Sequence, residues 1–158
     1  ACTGLRAGEI LAIRKQIVYP KYINVYDQRQ RNFELHPIKT KEARYIPIIP
    51  EIYTLLSSHF QTDGFCFQFT YSWYRKRFSV LRDLIKTSKE RYLSIHSLRH
   101  YFNTYLLSEN VTGEKTAAVL GHSTGMGSMQ ERYTNWKPEL MPEVYEAQKK
   151  LFMQLYKC

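Results

Sequence analysis

Arg6, Lys39, His96, Arg99, His122 and Tyr133 are six residues whose side chains could together handle one phosphate group. His96-Ser97-Leu98-Arg99-His100 is the densest piece; His122 lies 22 residues beyond His100, and Tyr133 follows 11 later. Arginine, lysine and histidine neutralise phosphate oxygens and donate hydrogen bonds to them, while a tyrosine hydroxyl can attack phosphorus. The set suggests covalent chemistry on a nucleic-acid backbone, with no metal required.

Each residue has a chemical reason for its place in the set. On a helix, positions three apart share a face, so His96 and Arg99 can reach one ligand, with His100 nearby. A surface His-Arg pair, or a buried histidine meeting a carbonyl, is the competing reading. Zinc is disfavoured, because no Cys or acid stands at complementary spacing and Arg99 would repel the ion. Arg6 follows Thr3-Gly4-Leu5, where glycine permits a turn that presents a planar guanidinium fork. Glu9 can hold that fork from behind, although a simple salt bridge explains Arg6 and Glu9 equally well. Lys39 can act as a general acid from a hairpin, and on chemistry alone Lys41 competes with it. His122 can donate a hydrogen bond to phosphate. Tyr133 titrates ordinarily near pH 10, so its attack requires a base or dense local positive charge.

These residues need elements to position them. A short helix is expected over Ala7–Arg14, then strands around Tyr22–Tyr26, Phe33–Ile38 and Ala43–Ile49 in a small antiparallel meander. Asp27–Asn32 is the polar separator between the first two. Pro47 and Pro50 place the third strand at an edge or end it early, and Pro50 suits the first turn of a helix carrying Ile52, Leu55 and Leu56. A longer helix is expected over Ser72–Thr87, burying Tyr74, Phe78, Leu81 and Ile85. Another should run from His96 to Ser108 over Leu98, Phe102 and Leu106. Thr112 can cap a helix carrying Ala117, Ala118 and Leu120, with Glu114 suited to its first turn. Gly125 and Gly127 interrupt the chain before Met129–Trp136. Pro142 opens a final amphipathic helix with Val144, Ala147, Leu151 and Leu155 on one stripe.

Composition narrows the partner. Apolar residues make up 44% of the 158 and aromatics 15%, enough for one domain with a proper core. Lys and Arg outnumber Asp and Glu by 23 to 14, giving +9, so an anionic partner, most simply nucleic acid, is favoured over mere solubility charge. The window Ser72–Tyr92 holds seven basic residues against two acidic ones. Arg75, Arg82, Lys86 and Lys89, with Lys41, are therefore candidate contacts to a DNA backbone, a solvated face being the alternative. Cys2, Cys66 and Cys158 show neither even count nor metal-like spacing and read as reduced intracellular thiols. No apolar run approaches a membrane span and no signal peptide opens the chain. With no initiating Met and only five residues before Arg6, the chain reads as one whose upstream part has been removed.

Taken in order, the motifs resemble the catalytic domain of the tyrosine recombinase (phage integrase) family. Thr3–Glu9 matches the family's Thr-Gly-Leu-Arg-x-x-Glu; Lys39 stands eight residues before Pro47, which favours it over Lys41. His96–His100 matches His-x-Leu-Arg-His, Leu120–Ser123 matches Leu-Gly-His-Ser, and Tyr133 matches the nucleophile. The family usually places that tyrosine nine residues after the motif histidine; here it is eleven, with Thr124–Gly127 absorbing two residues. The resemblance implies a mainly helical α+β catalytic domain over residues 1–158 with a small antiparallel sheet near the N-terminus. The family's N-terminal DNA-clamping domain is expected to be absent and the start truncated.

The resemblance also implies roles. Arg6, Arg99 and His122 would hold the scissile phosphate, Tyr133 would attack it, Lys39 would protonate the leaving 5′-oxygen, and His96 would accept the tyrosine proton. Glu9 and His100 would support them. No cofactor is implied, because one phosphodiester is exchanged for another through a 3′-phosphotyrosine link, without metal or ATP. The implied partner is double-stranded DNA, bound by a homotetramer joined through the C-terminal helix, although an intramolecular helix fits the same stripe. No membrane association is expected; the setting would be cytoplasmic, in a bacterium or phage-encoded. A type IB topoisomerase, or a DNA-binding fragment without turnover, are the rival readings.

Overall fold

The computed structural model describes residues 2–30, 33–38, 43–85, 93–122 and 137–156. Lys39, Lys41, Lys86, Lys89 and Tyr133 lie outside them, as does the Met129–Trp136 segment with its glycine-containing approach. Among the described residues the fold is α+β and mainly helical, with two small antiparallel sheets.

Helix α1 (Ala7–Leu11) ends three residues before the expected Arg14. Ile13 is buried and Arg14 forms an isolated bridge with Phe65, so tertiary pairing overrides the helical pattern there. Strands β1 (Val18–Tyr19), β2 (Tyr22–Val25) and β5 (Arg44–Pro47) form one sheet in the order β1-β2-β5. Strands β3 (Asp27–Arg29) and β4 (Leu35–Pro37) form a separate hairpin. The expected simple meander is thus split: β2 pairs with β5, Ile23 opposite Ile46, and the intervening hairpin leaves the sheet. Part of the supposed polar separator, Asp27–Arg29, is itself strand. Pro47 closes edge strand β5, where its missing N–H costs no ladder bond.

Helix α2 (Pro50–Ser57) begins at Pro50, whose fixed φ suits the first turn, and buries Ile52 while Leu55 is exposed. Helix α3 (Tyr71–Leu84) is capped by Thr70, whose side chain accepts from the Trp73 N–H. Its expected core stripe is not buried. Tyr74 and Phe78 are half-buried, and Leu81 and Ile85, the latter at its C-cap, lie 56% and 66% exposed. Periodicity found the helix but misplaced its apolar face, because no described element covers it deeply.

Helix α4 (Ile95–Ser108) starts at Ser94, which caps reciprocally with Ser97, and it buries Phe102 and Leu106 fully; Leu98 is half-buried. Helix α5 (Gly113–Leu120) is capped by Thr112 and buries Thr116, Val119 and Leu120, while Ala117 and Ala118 are half-buried. Helix α6 (Pro142–Tyr156) inserts Val144, Ala147 and Leu151 into the core, whereas Leu155 is exposed. Ile23, Ile46, Ile48 and Ile49 meet Phe102, Leu106, Val119 and Leu151 in one apolar cluster. Each such side chain contributes about 1.5–3 kcal/mol by leaving water. Gln148 of α6 is fully buried and ties the N-terminal segment to the end of β5. Its Nε2 donates to the Cys2 and Pro47 carbonyls, and its Oε1 accepts from the Ile49 N–H.

Candidate phosphate site at the end of helix α5

The site is organised by the C-terminus of α5. A helix leaves its last carbonyls without intrahelical donors and gathers partial negative charge there. Gly121, with φ +65°, provides the left-handed turn that stops α5, and the His122 N–H donates back to the Ala117 carbonyl. Three consecutive carbonyls at this end each accept from a different arginine. Arg44 Nε donates to Val119 at 2.9 Å, Arg99 Nη2 donates to Leu120, and Arg6 Nη2 donates to Gly121 at 2.8 Å. His122 is the next residue.

Arg99 comes from the first turns of α4 and is 3% exposed. Its Nη1 donates to the Gly4 carbonyl at 2.6 Å. Gly4 has φ +61°, and a side chain there would collide with Leu120 and Phe102, so glycine lets the N-terminal segment lie against α4 and α5. Burial, and secondly the Arg6 charge, bring the Arg99 guanidinium down to about 10, so it remains charged at neutral pH.

Arg6 stands immediately before α1 and is only partly buried. Its backbone N–H and its Nη1 both donate to Glu9, at 2.7 and 2.9 Å. The support from Glu9 is therefore present, but Arg6 does not have it alone. Arg44 forks onto the same carboxylate, Nη1 to Oε1 at 3.0 Å and Nη2 to Oε2 at 2.7 Å. Burial alone would raise the Glu9 carboxyl; the Arg44 hydrogen bonds and charge, then Arg6, outweigh it and hold the group below the ordinary carboxylate value.

His96 and His100 share one face of α4, with ring centroids 4.4 Å apart and nearly perpendicular. His96 and His122 are exposed. Partial desolvation, then His100, Arg99 and Arg6, lower His96. Partial desolvation, then Arg99, Arg6, His100 and Arg44, lower His122. Arg6 and Arg99 rest on the carbonyls of Gly121 and Leu120, the two residues before His122, and His96 and His100 flank Arg99 on α4, so the five stand around one cationic locus. The neutral rings of His96 and His122 are favoured at neutral pH, able to donate from one nitrogen and accept at the other. Three guanidiniums against the single Glu9 carboxylate leave a surplus suited to an anion. Among the described residues, no three His, Cys, Asp or Glu side chains gather where they could hold a metal ion.

The remaining sequence candidates lie elsewhere. Arg75 is exposed on α3, and Arg82 is half-buried, bonded to Ser79 and Asp83. Sequence reasoning missed Arg44. Its signal was available: Arg44, Ile46 and Ile48 alternate along a strand, so an arginine occupies a core-facing position and must find a buried acid.

The model of the phage integrase family matches residues 1–139. The chain belongs to that family. Among solved structures, this integrase-family chain is similar to the Tn1549 transposon integrase in complex with transposon right end DNA. The TM-score is 0.63 at 20% identity, covering 97% of this chain and 55% of that one. The same integrase in complex with a circular intermediate DNA gives a TM-score of 0.64 at 20% identity, covering 96% and 55%. At such identity the likeness establishes the fold. This chain spans about half, 55%, of the length of the integrases it matches. Among curated proteins, none matches it by sequence.

Proposed function

We propose that this chain is the catalytic domain of a site-specific DNA recombinase or integrase that cleaves and rejoins strands through a 3′-phosphotyrosine. The observation that carries the reading is the convergence of Arg6, Arg99, His96 and His122 on one locus with surplus positive charge. Arg6 and Arg99 neutralise the scissile phosphate and, with His122 donating, stabilise charge on its pentavalent transition state. Tyr133 Oη attacks phosphorus as the P–O5′ bond breaks. His96, held neutral by its surroundings, accepts the tyrosine proton, and Lys39 gives one to the departing 5′-oxygen. Attack by a 5′-hydroxyl from another strand reverses the sequence and releases Tyr133. His100 and Glu9 support this set, and Arg75 and Arg82, with Lys41, Lys86 and Lys89, contact the backbone of double-stranded DNA.

The assembly belonging to this reading is a homotetramer on DNA joined through the C-terminal helix. Support comes from the last turns of α6, where Met153, Leu155 and Tyr156 are exposed while Val144 and Leu151 serve the chain's own core. The test is covalent trapping on a nicked suicide duplex. A Tyr133-dependent adduct is expected, lost in Tyr133→Phe. An adduct that survives Tyr133→Phe, or none with the wild type, would sink the assignment. Relaxation of a plasmid without strand exchange would favour topoisomerase action instead.

A further inference from the structure

Arg44 belongs to none of the motifs that led to the site, yet it is the side chain that joins the site's parts. It projects from the first residue of β5 and is 8% exposed. One guanidinium grips both oxygens of Glu9 and the Val119 carbonyl, so all three bonds hold it in a single plane. Through Glu9 it fixes the carboxylate that orients Arg6. Through Val119 it fixes the carbonyl row on which Arg99 and Arg6 also rest, one turn before His122. It also packs beneath the turn: a Cβ on Gly121 would lie 3.1 Å from its Cδ, Cζ and Nε. Lysine at this position could satisfy one of the three acceptors but could not span them.

We propose that Arg44 is a positioning residue for phosphoryl transfer, locking Arg6 and the His122 turn into one rigid phosphate cradle without touching DNA itself. The proposal rests on the recombinase reading for its kinetic consequence, but not for its structural one. Two readouts keep the two apart. In the first, guanidinium and amide NMR signals of Arg6 and Gly121 are compared in wild type, Arg44→Met and Arg44→Lys. Both variants should show faster Arg6 side-chain exchange and a displaced Gly121 amide. In the second, single-turnover cleavage of a suicide duplex is measured at saturating DNA alongside affinity.

Arg44→Met should cleave about a hundredfold more slowly, the scale of a misplaced catalytic group. Its DNA affinity should stay within about twofold, because no phosphate contact is lost. Arg44→Lys, which keeps the buried charge and so protects the fold, should recover part of the rate. Combining Arg44→Met with Glu9→Gln should cost little more than either alone, since both break one linkage. A folded Arg44→Lys or Arg44→Met variant with unchanged Arg6 and Gly121 signals, or with wild-type cleavage, overturns the proposal. If the wild type forms no Tyr133 adduct, the recombinase reading falls and the NMR comparison alone decides Arg44.

Discussion

The end of α5 and the surface of α3 both concentrate positive charge, in opposite physical states. At α5, Arg44 and Arg99 are buried, and Arg6 is tied to the same carbonyl row. On α3, no residue is fully buried; Arg75, Lys76 and Arg77 are exposed, and Val80, Leu81 and Leu84 stand open beside them. On the proposed reading, the difference matches what each charge would do. Stabilising a transition state requires donors already aimed, and desolvation plus fixed partners supplies that aim. Following a DNA backbone needs only mobile charges that displace counterions. Immobility at α5 therefore implies sensitivity to single substitutions, and freedom at α3 implies tolerance.

Glu9→Ala should separate the regions most sharply. Removing the carboxylate leaves Arg44 as a buried charge without its carboxylate partner, costing about 3–5 kcal/mol of stability in urea unfolding. Arg99→Ala should come next: adduct formation falls by about 10²–10³ or more, while bulk DNA binding by gel shift stays mostly intact. A comparable loss of binding would mean that the α5 cluster, not the wider basic surface, dominates affinity.

Titration sharpens the contrast further. The folded value of Glu9 lies below the ordinary 4.5, so its stabilisation is complete above that pH and is lost as pH falls through the folded value. Midpoints measured against pH should show this loss in the wild type and not in Glu9→Gln. His96 and His122 are held below 6.5, so their neutral forms stabilise the fold above 6.5, and that contribution is lost as pH falls through their folded values. NMR titration should find both ring midpoints under 6.5; a midpoint above it would contradict the crowded cationic locus. The smallest effect belongs to α3. Arg75→Ala should change stability by less than about 0.5 kcal/mol and lower the salt slope of DNA binding by about 1. A large stability loss there would erase the comparison.

Legibility in the sequence followed the same division. Arg6, His96, Arg99, His100 and His122 were legible as candidates because local motifs place them at helix starts and ends, and the structure brings all five together. The caps at Ser94 and Thr112 and the start at Pro50 are equally local devices. Of these, the Thr112 cap and the Pro50 start are expected from the sequence. The split of the strands into two sheets escaped, because alternation says which face is apolar but not which strand lies beside it. The α3 stripe was misjudged because an apolar period records the side chains present, not whether another element covers them.

Sequence alone determined the residue types, their order and the local elements that carry them, since motifs, caps and turn glycines act over a few positions. Tertiary structure decided that three arginines from three distant segments meet on successive carbonyls of one helix end. It also decided that Glu9 serves Arg44 as well as Arg6. Such a meeting depends on how β5, α4 and the N-terminal turn pack around α5. Those long-range contacts leave no period in the chain, only the oddity of an arginine on the buried side of a strand.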